Sequence, residues 1–108
     1  MAIAENTYVR MWEFQAHSGR EHEFEILYGP QGGWVHLFQK SKAFLRSELY
    51  RDTEISGRYV TVDYFVSQSD FEAFLREFRQ EYDALDRLGE ALCASEKRIG
   101  SFANVQRS

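Results

Sequence analysis

Two periods alternate along the chain. Residues 7–15, TYVRMWEFQ, step by two, with Val9, Met11 and Glu13 on one face and Tyr8, Arg10, Trp12 and Phe14 on the other. Such alternation among β-branched and aromatic residues predicts a strand. Ser18 and Gly19 end it, and Ser18 with Glu21 has capping-box spacing for a helix over 19–28, GREHEFEILY, whose early acids suit the helix dipole. Gly29-Pro30-Gln31-Gly32-Gly33 breaks that helix, and residues 34–40 re-enter one. Residues 43–51, AFLRSELYR, predict a second strand with Leu45 and Leu49 on one face and Phe44, Arg46, Glu48 and Tyr50 on the other. After a polar turn at 52–57, residues 58–66, RYVTVDYFV, predict its hairpin partner, with Val60, Val62 and Tyr64 opposite Tyr59, Thr61, Asp63 and Phe65. From Ser69 or Asp70 to Leu92, apolar residues recur at steps of three and four, the mark of one long amphipathic helix weakened near its end by Gly89. Residues 96–105, EKRIGSFANV, read as a last strand, with Ile99 and Phe102 on different faces.

The order β-α-β-β-α-β predicts an α+β, ferredoxin-like fold: a four-stranded antiparallel sheet with both helices on one face. One domain is expected over 1–108, with its core at about 7–104. Two apolar faces then compete for the helices. The aliphatic set, Val9, Met11, Leu45, Leu49, Val60 and Val62, is expected beneath them. Tyr8, Trp12, Phe14, Phe44, Tyr50, Tyr59 and Phe65 would remain on an open aromatic face, which predicts a homodimer joined through that face.

Composition narrows the classes. Aromatic residues are 16% of the chain, so ring surface must line a core, an interface or a pocket. Thirteen basic against 17 acidic residues give a net charge of −4, which argues against a nucleic-acid partner. The RNA-recognition motif shares the element order, but Thr61 replaces a platform aromatic and Asp63 would repel phosphate. No apolar run approaches a membrane span, and residues 1–10 lack the layout of a signal peptide. Cys93 is the only cysteine, so no intrachain disulfide forms, and a cytoplasmic location is expected. His17 and His22, five apart among acids, do not have metal-ligand spacing, and the 29–33 run lacks the Lys-Ser/Thr of a P-loop. No metal and no organic cofactor is expected.

The strand YVRMWEF, the Ser18-Gly19 loop, the run RYVTVDYFVSQSDFEAFLREF and the terminal KRIGSF together resemble the antibiotic-biosynthesis-monooxygenase-like family over roughly residues 7 to 103. The resemblance implies a dimeric α+β barrel with a ligand cleft between helices and sheet in each subunit. It also implies one of several activities: oxygenation of electron-rich aromatics without a cofactor, heme degradation, or none assigned. Heme-degrading relatives carry an Asn in the first strand, a Trp ending the third and a His in the second long helix. Here Glu13 and Phe65 stand at the first two places, and no His occurs from Phe71 to Ser108, so heme degradation is not expected.

Cofactor-free oxygenation needs a substrate that can lose a proton, a base or hydrogen-bond partner, and an apolar pocket that excludes water. If Val9 and Met11 face the helices, Glu13 does too, and partial burial would raise its pKa toward that of a useful base. Tyr64, beyond Val60 and Val62, could bind a substrate oxygen, and His36 could move a proton near neutral pH. Glu13, His36 and Tyr64 are thus the expected catalytic set, with Met11, Trp34 and Phe38 as the substrate wall. The expected function is a cofactor-independent monooxygenase for a small quinol- or anthrone-like aromatic. The alternative is a non-catalytic, dimeric small-ligand-binding or stress-related protein of the same fold.

Overall fold

The two strand runs with the densest β-branched and aromatic content form the centre of the sheet. In a computed structural model, which describes residues 7–105, β1 (Tyr8–Ala16) and β3 (Arg58–Phe65) are antiparallel neighbours, flanked by β2 (Phe44–Arg51) and β4 (Cys93–Ala103). The order is β2-β3-β1-β4, and every pairing is antiparallel. Gly57, with φ 79°, closes the turn into β3. The helices α1 (Glu21–Tyr28), α2 (Gly33–Phe38), α3 (Gln68–Glu77) and α4 (Arg79–Leu92) complete a ferredoxin-like α+β fold. None is long and apolar enough to cross a membrane.

The long helix expected from Ser69 or Asp70 starts at Gln68 and is two helices. Ser67 caps α3, its Oγ accepting the Asp70 N–H at 3.1 Å. Phe78 leaves helical dihedrals (φ −113°, ψ 31°) between α3 and α4. α4 runs on through Gly89 to Leu92, and Gly89 admits Tyr28, since a Cβ there would lie 2.0 Å from the Tyr28 hydroxyl oxygen. Ser18 does not cap α1; Arg20 occupies that position, and Glu21 accepts the Gly19 N–H at 2.8 Å.

The faces of the two central strands are the reverse of the sequence expectation, while Leu49 of β2 lies beneath the helices as expected. Tyr8, Phe14, Tyr59 and Phe65 are buried under the helices. Phe65 is the hub, within 4.9 to 6.1 Å of the rings of Phe71, Phe38, Phe44 and Phe74. Tyr59 stacks on Phe24 and donates to Glu25 Oε2 at 2.6 Å, which ties α1 to the sheet. Tyr8, Trp12, Phe14, Phe44, Tyr59 and Phe65 are therefore not an open dimer face; Tyr50 alone of that set lies on the helix-free side, paired opposite Val60. That side carries Val9, Met11, Glu13, Val60, Val62 and Tyr64. The reason is area: large rings remove more surface from water than Val or Met, and four helices present rings of their own to meet them.

Three register shifts mark the outer strands, one of them where β4 skips Ala94 between Cys93 and Ser95. In β2 the register skips Leu45, so that Phe44 and Ser47 fall on the helix side with Phe65 and Asp63, and Leu45 is exposed. In β4 the register skips Ile99, so that Phe102 lies opposite Val9 on the open side while Glu96 lies opposite Phe14 on the helix side. An extra residue reverses the alternation of every side chain beyond it.

Candidate functional site: a cleft between helices and sheet

Part of the helix-facing side of the sheet forms the floor of a cleft. Trp12 and Phe14 of β1 and Thr61 and Asp63 of β3 are its base, Ser47 of β2 and Glu96 of β4 its sides. Tyr28, Trp34, Val35 and Phe38 from α1 and α2, with Tyr82 and Asp86 from α4, form its roof. The enclosed part of the cavity is about 40 Å³, and the space between these atoms including the open mouth is about 510 Å³. Trp34 meets Tyr82 edge to face at 4.9 Å and lies 6.1 Å from Tyr28. These rings give the cleft aromatic walls around its acids.

Asp63 is the polar centre of the floor. The Ser47 hydroxyl donates to its Oδ1 at 2.6 Å. Some of its surface stays open where it borders the cleft, but it is otherwise tightly surrounded, and burial pushes its carboxyl up to about 6; the Ser47 bond and the charge of Arg10 oppose that shift. Arg10 pairs opposite Asp63 in the register, yet its guanidinium lies 4.3 Å above the Phe71 ring rather than in an ion pair with the carboxylate. Glu96 is pushed up to about 6 by burial and by the charges of Asp86 and Glu90. Asp86 is raised by burial and by Glu90 and Asp83. Trp34 is 8% exposed, and its indole N–H is buried beside the Tyr28 hydroxyl without a well-formed hydrogen bond. An unpaired buried donor costs about 1–3 kcal/mol, a cost that an acceptor atom on a ligand would remove.

Of the residues singled out from sequence, the structure brings Trp34 and Phe38 to this cleft. Met11, Glu13 and Tyr64 lie on the opposite side of the sheet. Glu13 is bonded by Arg58 Nε at 3.0 Å, and that bond holds its carboxyl below the usual range instead of raising it. The Tyr64 hydroxyl donates to Glu48 Oε1 at 2.9 Å, while Arg46 sits 3.8 Å over its ring. His36 is exposed on α2, one position from the buried Trp34-Val35 pair. The residues that sequence reasoning missed are Asp63, Ser47, Asp86 and Glu96. The signal for Asp63 was present: an acid in the middle of RYVTVDYFV, a run otherwise fit for a central strand.

No residue group among the described residues has the arrangement to hold a metal ion. The cleft's acids accept protons and hydrogen bonds, its rings stack, and the Trp34 N–H donates.

No protein-family model matches the chain, and no curated protein matches it. Solved structures do. SnoaB, a cofactor-independent oxygenase from Streptomyces nogalater, superposes with a TM-score of 0.72 at 22% identity, over 95% of this chain and 97% of that one. A candidate antibiotic biosynthesis monooxygenase from Bordetella bronchiseptica gives 0.71 at 16% identity, over 94% and 100%. A dimeric ferredoxin-like protein from an uncultured marine organism gives 0.68 at 9% identity, over 97% and 93%. At these identities the likeness is one of architecture, and the chain has the ferredoxin-like fold that antibiotic biosynthesis monooxygenase structures share.

Proposed function

We propose that the protein is a cofactor-independent monooxygenase that binds a small electron-rich aromatic, quinol- or anthrone-like, in the cleft between helices and sheet. The observation that carries this reading is Asp63: a carboxylate with a raised pKa, held at one oxygen by Ser47, on the floor of an aromatic slot. The fold shared with a cofactor-independent oxygenase supports it.

The chemistry needs little from the protein. A ring stacked between Trp34 and the sheet presents an acidic O–H or C–H to Asp63, which takes the proton. The resulting anion gives one electron to dioxygen, and the substrate radical and superoxide combine as a peroxide. Asp63 returns its proton to the peroxide oxygen. For an anthrone methylene, loss of water from the hydroperoxide then leaves a carbonyl, so that CH2 and O2 become C=O and H2O. Proton transfer from ligand to Asp63 leaves the net charge of the site unchanged, which limits its cost in the cleft.

A second copy of the chain is part of this reading. It would cover the open face, where Val9, Met11, Val60 and Val62 lie among exposed Tyr50 and Phe102. The dimeric state of one structure of this fold supports the arrangement.

The test is oxygen uptake by the purified protein over a panel of hydroquinones and anthrones, with product identified by mass. Uptake well above the uncatalysed rate, with one oxygen atom in the product, supports the monooxygenase. Tight binding of the same compounds with no uptake would show a binding protein instead.

A further inference from the structure

The cleft has one sign of charge. Asp63, Asp86 and Glu96 come to it from β3, α4 and β4, and no Arg, Lys or His side chain lines it. Glu48 also borders it, with its carboxylate engaged by Tyr64 and Arg46. The nearest cations make their contacts outside the cleft, Arg10 over Phe71 and Arg79 with Asp83 at 3.5 Å, and offset the acids only in part. None of Asp63, Asp86 and Glu96 has an ion-pair partner among the described residues. Around these acids stand the faces and edges of Trp12, Tyr28, Trp34 and Tyr82. Aromatic faces and unpaired carboxylates are together the surroundings that favour an organic cation. The indole N–H of Trp34, buried beside the Tyr28 hydroxyl without a well-formed hydrogen bond, is an independent sign of a ligand and can meet an acceptor such as a ring oxygen.

We propose that the cleft selects a hydroxylated aromatic ring that carries a positively charged amine, and that Asp86 and Glu96 are the residues that set this preference. The inference rests on the cleft being the aromatic site described above. Asp63 handles the ring proton, the Trp34 N–H meets a ring oxygen, and the amine lies toward the mouth, between α4 and the start of β4. Asp86 and Glu90 raise the pKa of Glu96, and Glu90 and Asp83 that of Asp86, and a bound ammonium group would offset that repulsion. A carboxylate on the ligand would add to it.

Three catechols with one ring and different side-chain charge test the idea: dopamine, 4-ethylcatechol and dihydrocaffeic acid. Their binding is followed without oxygen by quenching of the tryptophan fluorescence. Dopamine should bind tightest and dihydrocaffeic acid weakest, with about tenfold or more between the extremes. Asp86→Asn and Glu96→Gln, both near-isosteric, should shrink that spread while leaving 4-ethylcatechol nearly unchanged. Glu72→Gln, which removes the same charge from the exposed side of α3, should leave the spread intact. Equal binding of the three ligands, or a spread that survives both cleft substitutions, overturns the charge selection but leaves the aromatic site standing. Binding of none of the three removes the aromatic site and the selection with it.

Discussion

At the scale of single residues, Asp63 links stability and chemistry. Its ordinary carboxyl value is near 3.8 and its folded value about 6. Between those values the unfolded chain ionises while the folded one keeps its proton, so stability falls as pH rises from about 4 to 6 and is level above that. The difference contributes about 1–3 kcal/mol, discounted because Asp63 opens on the cleft. Glu96 acts in the same direction. Glu13 and Asp52, held below their ordinary values by Arg58 and by the 54–55 backbone N–H groups respectively, lose their contribution only at lower pH. Thermal unfolding of the wild type should therefore weaken between about pH 4 and pH 6, and Asp63→Asn, which keeps an acceptor for Ser47, should remove much of that slope. An unchanged slope in the variant would show that Asp63 is not buried as described.

At the scale of elements, close approach decides what a helix can carry. Glycine inside a helix is ordinarily about 1 kcal/mol worse than alanine. At Gly89 the sign should reverse, because an added methyl meets the Tyr28 hydroxyl. Gly89→Ala should destabilise by about 1–3 kcal/mol, and Tyr28→Phe should recover part of the loss in the double variant, as read by urea unfolding. The strands, the turns and their order were legible in the sequence because their periods are strong. Which face met the helices was not, because β1 and β3 are apolar on both sides and alternation does not say which side is buried. The bulges were illegible for a related reason. Nothing in AFLRSELYR or EKRIGSFANV distinguishes a skipped residue from a regular strand, yet Leu45 and Ile99 are what turn Ser47 and Glu96 toward the cleft. The helix break at Phe78 was hidden by apolar spacing that runs on through it. Trp34 and Phe38 were found because two buried rings four apart need only a helix to share a face.

At the scale of the whole molecule, the inverted faces exchange the roles first expected for them. Rings line the core and the cleft, and the aliphatic side is the one left for a second copy. Sedimentation should give about twice 12.7 kDa, and Val60→Glu should give a monomer that keeps its helical signal. A wild-type monomer at micromolar concentration would contradict that arrangement. The central claim, that Asp63 takes the proton of an aromatic bound in the cleft, is tested most directly by steady-state oxygen uptake with an anthrone, comparing wild type with Asp63→Asn across pH. The wild-type rate should rise through an apparent pKa near 6, and the variant should be slower by about 10²–10⁴ while binding the anthrone as before. An Asp63→Asn protein that consumes oxygen at the wild-type rate, with the same pH profile, would contradict the account.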